Sequence, residues 1–208
     1  MRFPAFALWL FSYLIERSLV NKVIRGKNEE RLTAARKLLN RKSSRGARYI
    51  IQYVEDENLR QEAARQIIEK ERSVSALMLV IWYCPNDKIR ENAADKLLKM
   101  SRVPKWVYRQ IVEYGPPTRR NAAWKKVKKN DRDEDLIYIV WDAPPEFAKL
   151  AAQRLLEKEQ FCKKENWRIR HLLVAHAPDP VRREAKKKFL SDNEGDEGTK
   201  WLTACHNC

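Results

Sequence analysis

The stretch Leu59-Arg60-Gln61-Glu62-Ala63-Ala64-Arg65-Gln66-Ile67-Ile68 contains a pair of alanines that recurs along the chain. The pair occurs five times in full, and a looser sixth copy has Ala185 followed by Lys186. Self-similarity at a fixed period of roughly 20–50 residues is typical of proteins built from stacked repeats. The five full pairs, separated by 29, 30, 29 and 29 residues, are Ala34/Ala35, Ala63/Ala64, Ala93/Ala94, Ala122/Ala123 and Ala151/Ala152.

Each repeat is predicted to contain two helices. In the first helix, as in Ile89–Leu98, the apolar residues fall at i, i+4, i+5, i+8 and i+9, which places them on one helical face. The alanines on that face predict that a neighbouring helix approaches closely. The second helix is more apolar, and its run Leu136–Trp141 alone would pass for a buried strand. Its position in the repeat predicts a helix instead.

The repeats resemble a known family. The motif Asp179-Pro180-Val181-Arg182-Arg183-Glu184-Ala185, together with Leu59-Arg60…Ala63-Ala64 and Ile89-Arg90…Ala93-Ala94, resembles HEAT-like repeats. The similarity is to the short class of about 30 residues found in phycobilisome-lyase-type proteins. It implies an all-α fold of the armadillo type, an α-α superhelix (solenoid) of five to six repeats over residues 28–192.

The resemblance also implies a structural role for one group of arginines. In that family the Asp and Arg of the motif form a ladder between neighbouring repeats. By that likeness, the ladder should be broken in the fifth repeat, where Phe147-Ala148 replaces the apolar-Arg pair. The arginines assigned to the ladder are Arg60, Arg90, Arg119 and Arg182.

The N-terminal segment differs from the repeats. Phe3–Ile15 is a run of thirteen residues whose only polar member is Ser12, with Tyr13 amphipathic. This is short of the ~20 residues that a membrane-spanning helix needs. Residues 1–27 are therefore predicted to form an apolar helix that caps the open end of the stack. Attachment to a membrane surface and an export signal remain alternatives.

The charge of the chain points to an acidic partner. Its formal net charge is +15, which favours nucleic acid, anionic lipid or an acidic protein. Its four cysteines are too few and too scattered for a disulfide framework, which predicts a reduced, cytoplasmic setting. Residues 193–208 are predicted to be a flexible tail.

The cations concentrate between the first and second helices of the repeats. Helix C-termini favour cations, but that explains only one or two per repeat. In a stack, such connections share one edge and would form a basic stripe on the order of 50 Å long. The stripe predicts contact with nucleic acid or with an acidic protein. The candidate residues are Arg41, Lys42, Arg45, Arg48, Arg102, Lys105, Lys125, Lys126, Lys128, Lys129, Lys163, Lys164 and Arg168.

The tryptophans divide into two groups. Trp82 and Trp141 lie in apolar second helices and are predicted to be in the core. Trp106, Trp124 and Trp167 lie among lysines and arginines and are candidates for stacking on nucleobases. The alternative is that their rings cover the joints between repeats.

Catalytic and metal-binding patterns are sparse. The sequence has no Gly-rich phosphate loop and no nucleophile-elbow pattern. By resemblance to HEAT-like alkylpurine DNA glycosylases, Asp142 beside Trp141 is the one catalytic candidate. A phycobilin lyase is also possible by resemblance, but no residue singles it out. Cys205 and Cys208 have the spacing of half a zinc site, although a flexible tail is favoured, and no cofactor is predicted.

These patterns predict a non-enzymatic binding module that uses a basic edge or concave face. One alternative is a DNA-repair glycosylase acting on alkylated bases. Another is a protein–protein scaffold without a nucleic-acid role. The apolar N-terminal helix leaves membrane contact open, and the oligomeric state is not decided by the sequence.

Overall fold

The computed structural model describes residues 5–158 and 167–192, and within them the side chains of residues 10–158 and 167–191. All secondary structure in these ranges is helical, which confirms the all-α prediction. The fold consists of α1 Ala5–Arg25, α2 Asn28–Asn40, α3 Ser44–Tyr53, α4 Glu57–Lys70, α5 Val74–Tyr83, α6 Asp87–Lys99, α7 Lys105–Tyr114, α8 Pro117–Asn130, α9 Asp133–Asp142, α10 Pro145–Glu157, α11 Trp167–His171 with a π-helical turn Leu172–His176, and α12 Val181–Asp192.

The two kinds of predicted helix alternate along the chain. The even-numbered helices from α2 onward carry the recurring alanines, and the odd-numbered helices from α3 onward are the apolar second helices. The run Leu136–Trp141 lies in α9, so the prediction of a helix rather than a strand is confirmed. Three acidic residues, Asp133, Glu134 and Asp135, occupy the first turn of α9. Their charge is favourable beside the positive end of the helix dipole.

The N-terminal compact unit consists of Met1–Val103 and Gly115–Arg119. Within it the first helices α2, α4 and α6 pack in chain order, and the second helices α3 and α5 pack against each other. Helix α1 packs against both α2 and α3 through Val20 and Val23, which are buried. None of the described helices is long and apolar enough to cross a membrane.

The C-terminal compact unit consists of Pro104–Tyr114 and Arg120–Cys208. Here the second helix α7 packs against α9, which in turn contacts the π-helical turn after α11. The first helices α10 and α12 also pack against each other. Residues 159–166, which include the predicted cations Lys163 and Lys164, lie outside the described residues, as does the predicted tail 193–208.

The alanine pairs lie in the core. Both members of four pairs are buried, as is Ala185 of the looser copy. The pair on α8 is the exception, because Ala123 is buried and Ala122 is exposed. Helix α8 has Thr118 and Lys126 where α6 has the apolar residues Ile89 and Leu97. Consequently α8 buries only Ala123 and Val127.

Side chains from one first helix cap the C-terminal end of the preceding first helix. The last carbonyls of a helix lack partners within it and carry the negative end of the helix dipole, so a lysine ammonium stabilises them. This cap recurs in both units and uses lysines at two positions of the repeat, either three or seven residues after the first recurring alanine. The bonds run from Lys70 to the carbonyl of Lys42 at 3.1 Å, from Lys96 to Glu71 at 2.7 Å, from Lys158 to Asp131 at 2.8 Å and from Lys188 to Leu156 at 3.2 Å.

The arginines assigned to the ladder bind groups of the protein, in differing ways. Arg60 donates to the carbonyl of Tyr83, at the end of the second helix of the same repeat, at 3.4 Å. Arg119 donates two hydrogen bonds to Asp95, at 2.6 and 2.9 Å. The other two, Arg90 and Arg182, bond to the acid three residues before them, Asp87 at 2.8 Å and Asp179 at 3.1 Å.

Helix α3 starts at a tight contact with α2. Ser43 caps α3 by accepting a hydrogen bond from the backbone N–H of Gly46 at 2.8 Å. A Cβ added at Gly46 would lie 2.9 Å from the Cβ of Leu38 on α2 and 3.0 Å from the Oγ of Ser43. The glycine therefore allows α3 to lie directly against α2.

Replacing Gly46 with Val should destabilise the protein by about 1–3 kcal/mol, because the larger side chain overpacks the contact with Leu38. Gln52→Val, on the exposed side of the same helix, is the matched control and should change stability by no more than about 0.5 kcal/mol. Urea unfolding followed by circular dichroism measures both. Equal midpoints for the two variants would show that the α2–α3 contact tolerates a side chain.

Candidate functional site

Among the described residues, the densest cluster of lysines without an ion-pair partner lies on α8. This helix contains six arginines and lysines and no acidic residue. Lys125, Lys126, Lys128 and Lys129 are all exposed, and we call them the α8 lysine face. None of the four forms an ion pair with a residue in the described part of the chain.

The acid that follows α8 does not neutralise this face. Asp131 has a left-handed backbone conformation, with φ of 50°. Arg154 donates to both oxygens of its carboxylate, at 3.1 and 3.2 Å, and Lys158 lies 3.3 Å away. Burial would raise the pKa of Asp131, but the hydrogen bond from Arg154 and the charge of Lys158 outweigh it and lower the pKa. The carboxylate is thus committed to α10 and the loop after it.

The candidate cations of the first repeat are partly engaged by the protein. Arg48 forms an ion pair with Glu71 at 2.7 Å. Arg41 donates to the hydroxyl of Ser12 at 3.0 Å, and the side chain of Lys42 is exposed.

Arg45 lies between two tyrosines. Its side chain is exposed and forms hydrogen bonds with the hydroxyls of Tyr13 and Tyr49, which raise its pKa further. Arg45, Arg48 and Tyr49 line an open groove along α3 that also reaches Glu71 and Leu79. This groove combines cations with an aromatic ring, as a surface for nucleotides would require.

The remaining candidate cations are scattered. Lys105 is exposed at the start of α7, and Arg102 is exposed just before that helix. Arg168 is exposed at the start of α11. Its guanidinium lies 5.7 Å from the centre of the Trp167 ring, within the range of a cation–π contact.

The prediction that Trp82 and Trp141 lie in the core is wrong. Trp82 is 41% exposed and Trp141 is 56% exposed. Each is the next-to-last residue of its second helix, a position that α3 fills with exposed Gln52. In α3, α5 and α9 this position therefore faces away from the core even though α5 and α9 are apolar, whereas α7 buries Glu113 there. An apolar run hides such a position, because hydrophobicity gives no phase when nearly every residue is apolar.

The three stacking candidates differ in exposure. Trp106 and Trp167 are exposed, at 39% and 57%. Trp124 is half-buried, and its ring meets the edge of Phe147 with centroids 6.4 Å apart. Trp124 thus packs α8 against α10, and Trp106 and Trp167 are available to a ligand.

A second cluster lies where α7 packs against α9. The side chain of Glu113 is only 1% exposed, and its Oε1 lies 3.3 Å from the Nε of Arg109. Its Oε2 accepts a hydrogen bond from Gln110 at 2.7 Å. The guanidinium of Arg109 also lies 4.1 Å from the centre of the Tyr138 ring. The sequence analysis missed Glu113, although an acid within the apolar run Ile111–Tyr114 with an arginine four residues earlier was a usable signal.

The surroundings of Glu113 favour its neutral form. Burial raises the pKa of Glu113 to about 7, against the lowering effect of Arg109 and with further raising by Asp142 and Asp135. Asp135 is itself buried at the start of α9. Its position corresponds to Gly46 and Ala76 in the first two second helices.

The catalytic candidate Asp142 is the last residue of α9 and is exposed beside Trp141. Burial raises the pKa of Tyr114, and the negative charge of Asp142 raises it further. The metal candidates Cys205 and Cys208 lie outside the described residues. Within the described ranges, no group of three or more His, Cys, Asp or Glu residues could hold a metal ion.

Replacing Glu113 with Gln should make stability less dependent on pH. The folded-state pKa of about 7 exceeds the ordinary value of 4.5, so the wild type loses stability as pH rises through 7. The variant should gain about 2–4 kcal/mol relative to wild type between pH 4.5 and pH 8. Urea unfolding across this range measures the change.

Glu62→Gln removes an exposed carboxyl and is the matched control, whose stability difference from wild type should not vary with pH. A difference for Glu113→Gln that is the same at pH 4.5 and pH 8 would mean that folding does not raise the pKa of Glu113.

Comparison of this chain with protein-family models, with curated proteins and with solved structures finds no match in any of the three. The function is therefore inferred from the residues of the chain and their geometry.

Proposed function

We propose that this protein is a non-enzymatic HEAT-like repeat module, an α-solenoid, that binds nucleic acid through its phosphate backbone. The proposed contact is the α8 lysine face, with exposed aromatic side chains as a secondary element. Lysine contacts to phosphate position a protein on nucleic acid without reading its sequence. Binding should therefore depend strongly on salt and weakly on base sequence.

The single observation that carries this proposal is the α8 lysine face. Lys125 lies four residues from Lys129 and three from Lys128, so like charges are neighbours on the helix surface. Such pairs destabilise a helix by roughly 0.2–0.5 kcal/mol each. The negative end of the helix dipole offsets part of this cost. A cluster that costs folding energy and has no ion-pair partner among the described residues is suited to a polyanion.

Structural lysines elsewhere in the chain sharpen this contrast. Lys70, Lys96, Lys158 and Lys188 cap helix ends, so their charges serve the fold. Lys125 is the counterpart of Lys96 one repeat later, yet it is exposed. Position in the repeat therefore does not determine whether a lysine is available to a ligand.

The composition of the lysine face favours nucleic acid over an acidic protein. Stable protein interfaces depend on a desolvated centre of large aromatic or aliphatic side chains. On α8 the exposed apolar side chain beside these lysines is Ala122, which is too small for that role, and the half-buried Trp124 packs against Phe147. Phosphates need only cations with freedom to move, which lysines provide.

The packing of the helices supports the solenoid part of the proposal. Like helices follow one another in both compact units, α2 with α4 and α6 in one, α10 with α12 in the other. The buried alanines and the recurring lysine caps join successive repeats in the same direction. These are the contacts expected of stacked helical hairpins.

The test is a binding titration of labelled duplex DNA against salt. Replacing Lys125, Lys126, Lys128 and Lys129 with Glu should weaken duplex binding by at least tenfold at low salt. The slope of log affinity against log salt should become shallower by up to about 4, because each lost phosphate contact releases about one counterion fewer.

The matched control is a quadruple change to Glu at four dispersed, exposed cations, namely Lys27, Arg65, Lys149 and Arg183. Both variants carry the same formal net charge, so they differ only in where the charge is lost. Equal weakening in the two would contradict a binding face on α8 and indicate attraction by net charge alone. Absence of duplex binding by the wild type at low salt would leave the face to an acidic protein.

A further inference from the structure

In the first half of α1, the apolar side chains that the structure describes are exposed. Leu10, Phe11, Tyr13 and Leu14 are all exposed, with Phe11 at 66% and Leu14 at 50%. Because consecutive residues point in different directions around a helix, exposure at residues 10, 11, 13 and 14 means that apolar side chains reach solvent on more than one side of the helix. An all-round apolar helix is normally buried in a protein core or in lipid.

The sequence extends this apolar character toward the start of α1. The residues before Leu10 within the helix are Ala5-Phe6-Ala7-Leu8-Trp9, all apolar. Ala5–Ile15 is thus an apolar helical segment of eleven residues, roughly 16 Å long at 1.5 Å per residue. That is about half of the ~30 Å hydrocarbon core of a bilayer.

A collar of cations lies beside this segment. The loop between α2 and α3 contacts α1 directly, since Arg41 donates to Ser12 at 3.0 Å and Arg45 bonds to Tyr13. Lys42 in the same loop and Arg17 on α1 are exposed. We call Arg17, Arg41, Lys42 and Arg45 the cation collar.

The acidic residue that the structure places beside these cations is Glu16 on α1. Glu16 is half-buried and accepts a hydrogen bond from Ser43 at 2.7 Å. The four cations of the collar against the single carboxylate of Glu16 give this part of the surface a net positive charge.

We infer that the apolar half of α1 inserts into one leaflet of an anionic lipid bilayer, with the cation collar at the level of the headgroup phosphates. An apolar helix followed by basic residues binds such surfaces by burial of its side chains and by attraction to anionic lipid. The length of the segment fits one leaflet. The collar matches the charge of the headgroups.

A second copy of the chain fits this surface less well than lipid does. Pairing of two helices covers one stripe of each and leaves the other sides of α1 in water. The collars of two copies would also repel each other. Lipid surrounds a helix on every side and neutralises the collar at the same time.

This inference is independent of nucleic-acid binding, because it uses α1 and the α2–α3 loop rather than α8. The test is co-sedimentation of the full chain with vesicles of phosphatidylcholine and phosphatidylserine, compared with vesicles of phosphatidylcholine alone. Wild type should bind the anionic vesicles at least tenfold more tightly than the neutral ones. Replacing Phe11 and Leu14 with Ser should weaken binding to anionic vesicles by at least tenfold.

Leu150→Ser with Leu190→Ser is the matched control, because these are also large apolar residues exposed on helices, at 41% and 43%, but lie elsewhere, on α10 and α12. This control should bind vesicles as wild type does, and F11S/L14S should bind duplex DNA as wild type does. Undiminished vesicle binding by F11S/L14S would overturn the inference. So would a wild-type dimer in light scattering that F11S/L14S converts to a monomer, without vesicle binding by either.

Discussion

The close approach of successive first helices is the constraint on which the rest of this structure depends. Alanine is the largest side chain found at these paired positions, and in four of five pairs both members are buried. Helices that approach this closely bring the end of one within reach of a lysine on the next, so capping bonds such as Lys70 to Lys42 become possible. Small side chains in the core and long cations at the helix ends are therefore two parts of one arrangement.

Helix α8 shows what happens when the constraint is relaxed. With Thr118 and Lys126 in place of apolar residues, it buries two side chains and exposes Ala122. Hydrophobic burial contributes less to holding this helix than it does for α4 or α6. The surface that is gained carries four lysines without ion-pair partners in the described chain. Helix α8 thus buries fewer apolar side chains than α4 or α6 and exposes more positive charge. These exposed lysines are the proposed binding surface.

The sequence predicts the elements of this fold well because the alanine period fixes the phase of each first helix and, by position, the nature of each second helix. This is why Leu136–Trp141 is correctly assigned to a helix. The same reasoning fails for Trp82 and Trp141, since hydrophobicity within an apolar run does not indicate which residue faces outward. Reasoning from the sequence also cannot distinguish lysines that cap helices from lysines that are exposed. Whether Lys96 meets a carbonyl or water depends on where the preceding helix ends, and only coordinates show that.

The direction of the capping bonds gives each compact unit a polarity. A later helix always supplies the lysine, and an earlier helix always supplies the carbonyl. During synthesis from the N-terminus, the four first helices with such a cap, α2, α4, α8 and α10, therefore have an uncapped end until the next first helix has emerged from the ribosome. A nascent hairpin is completed by its successor, so we expect the stability of the growing chain to rise stepwise with each repeat. Loss of a repeat from the C-terminal side would expose a helix end, whereas loss from the N-terminal side would merely release a lysine to solvent.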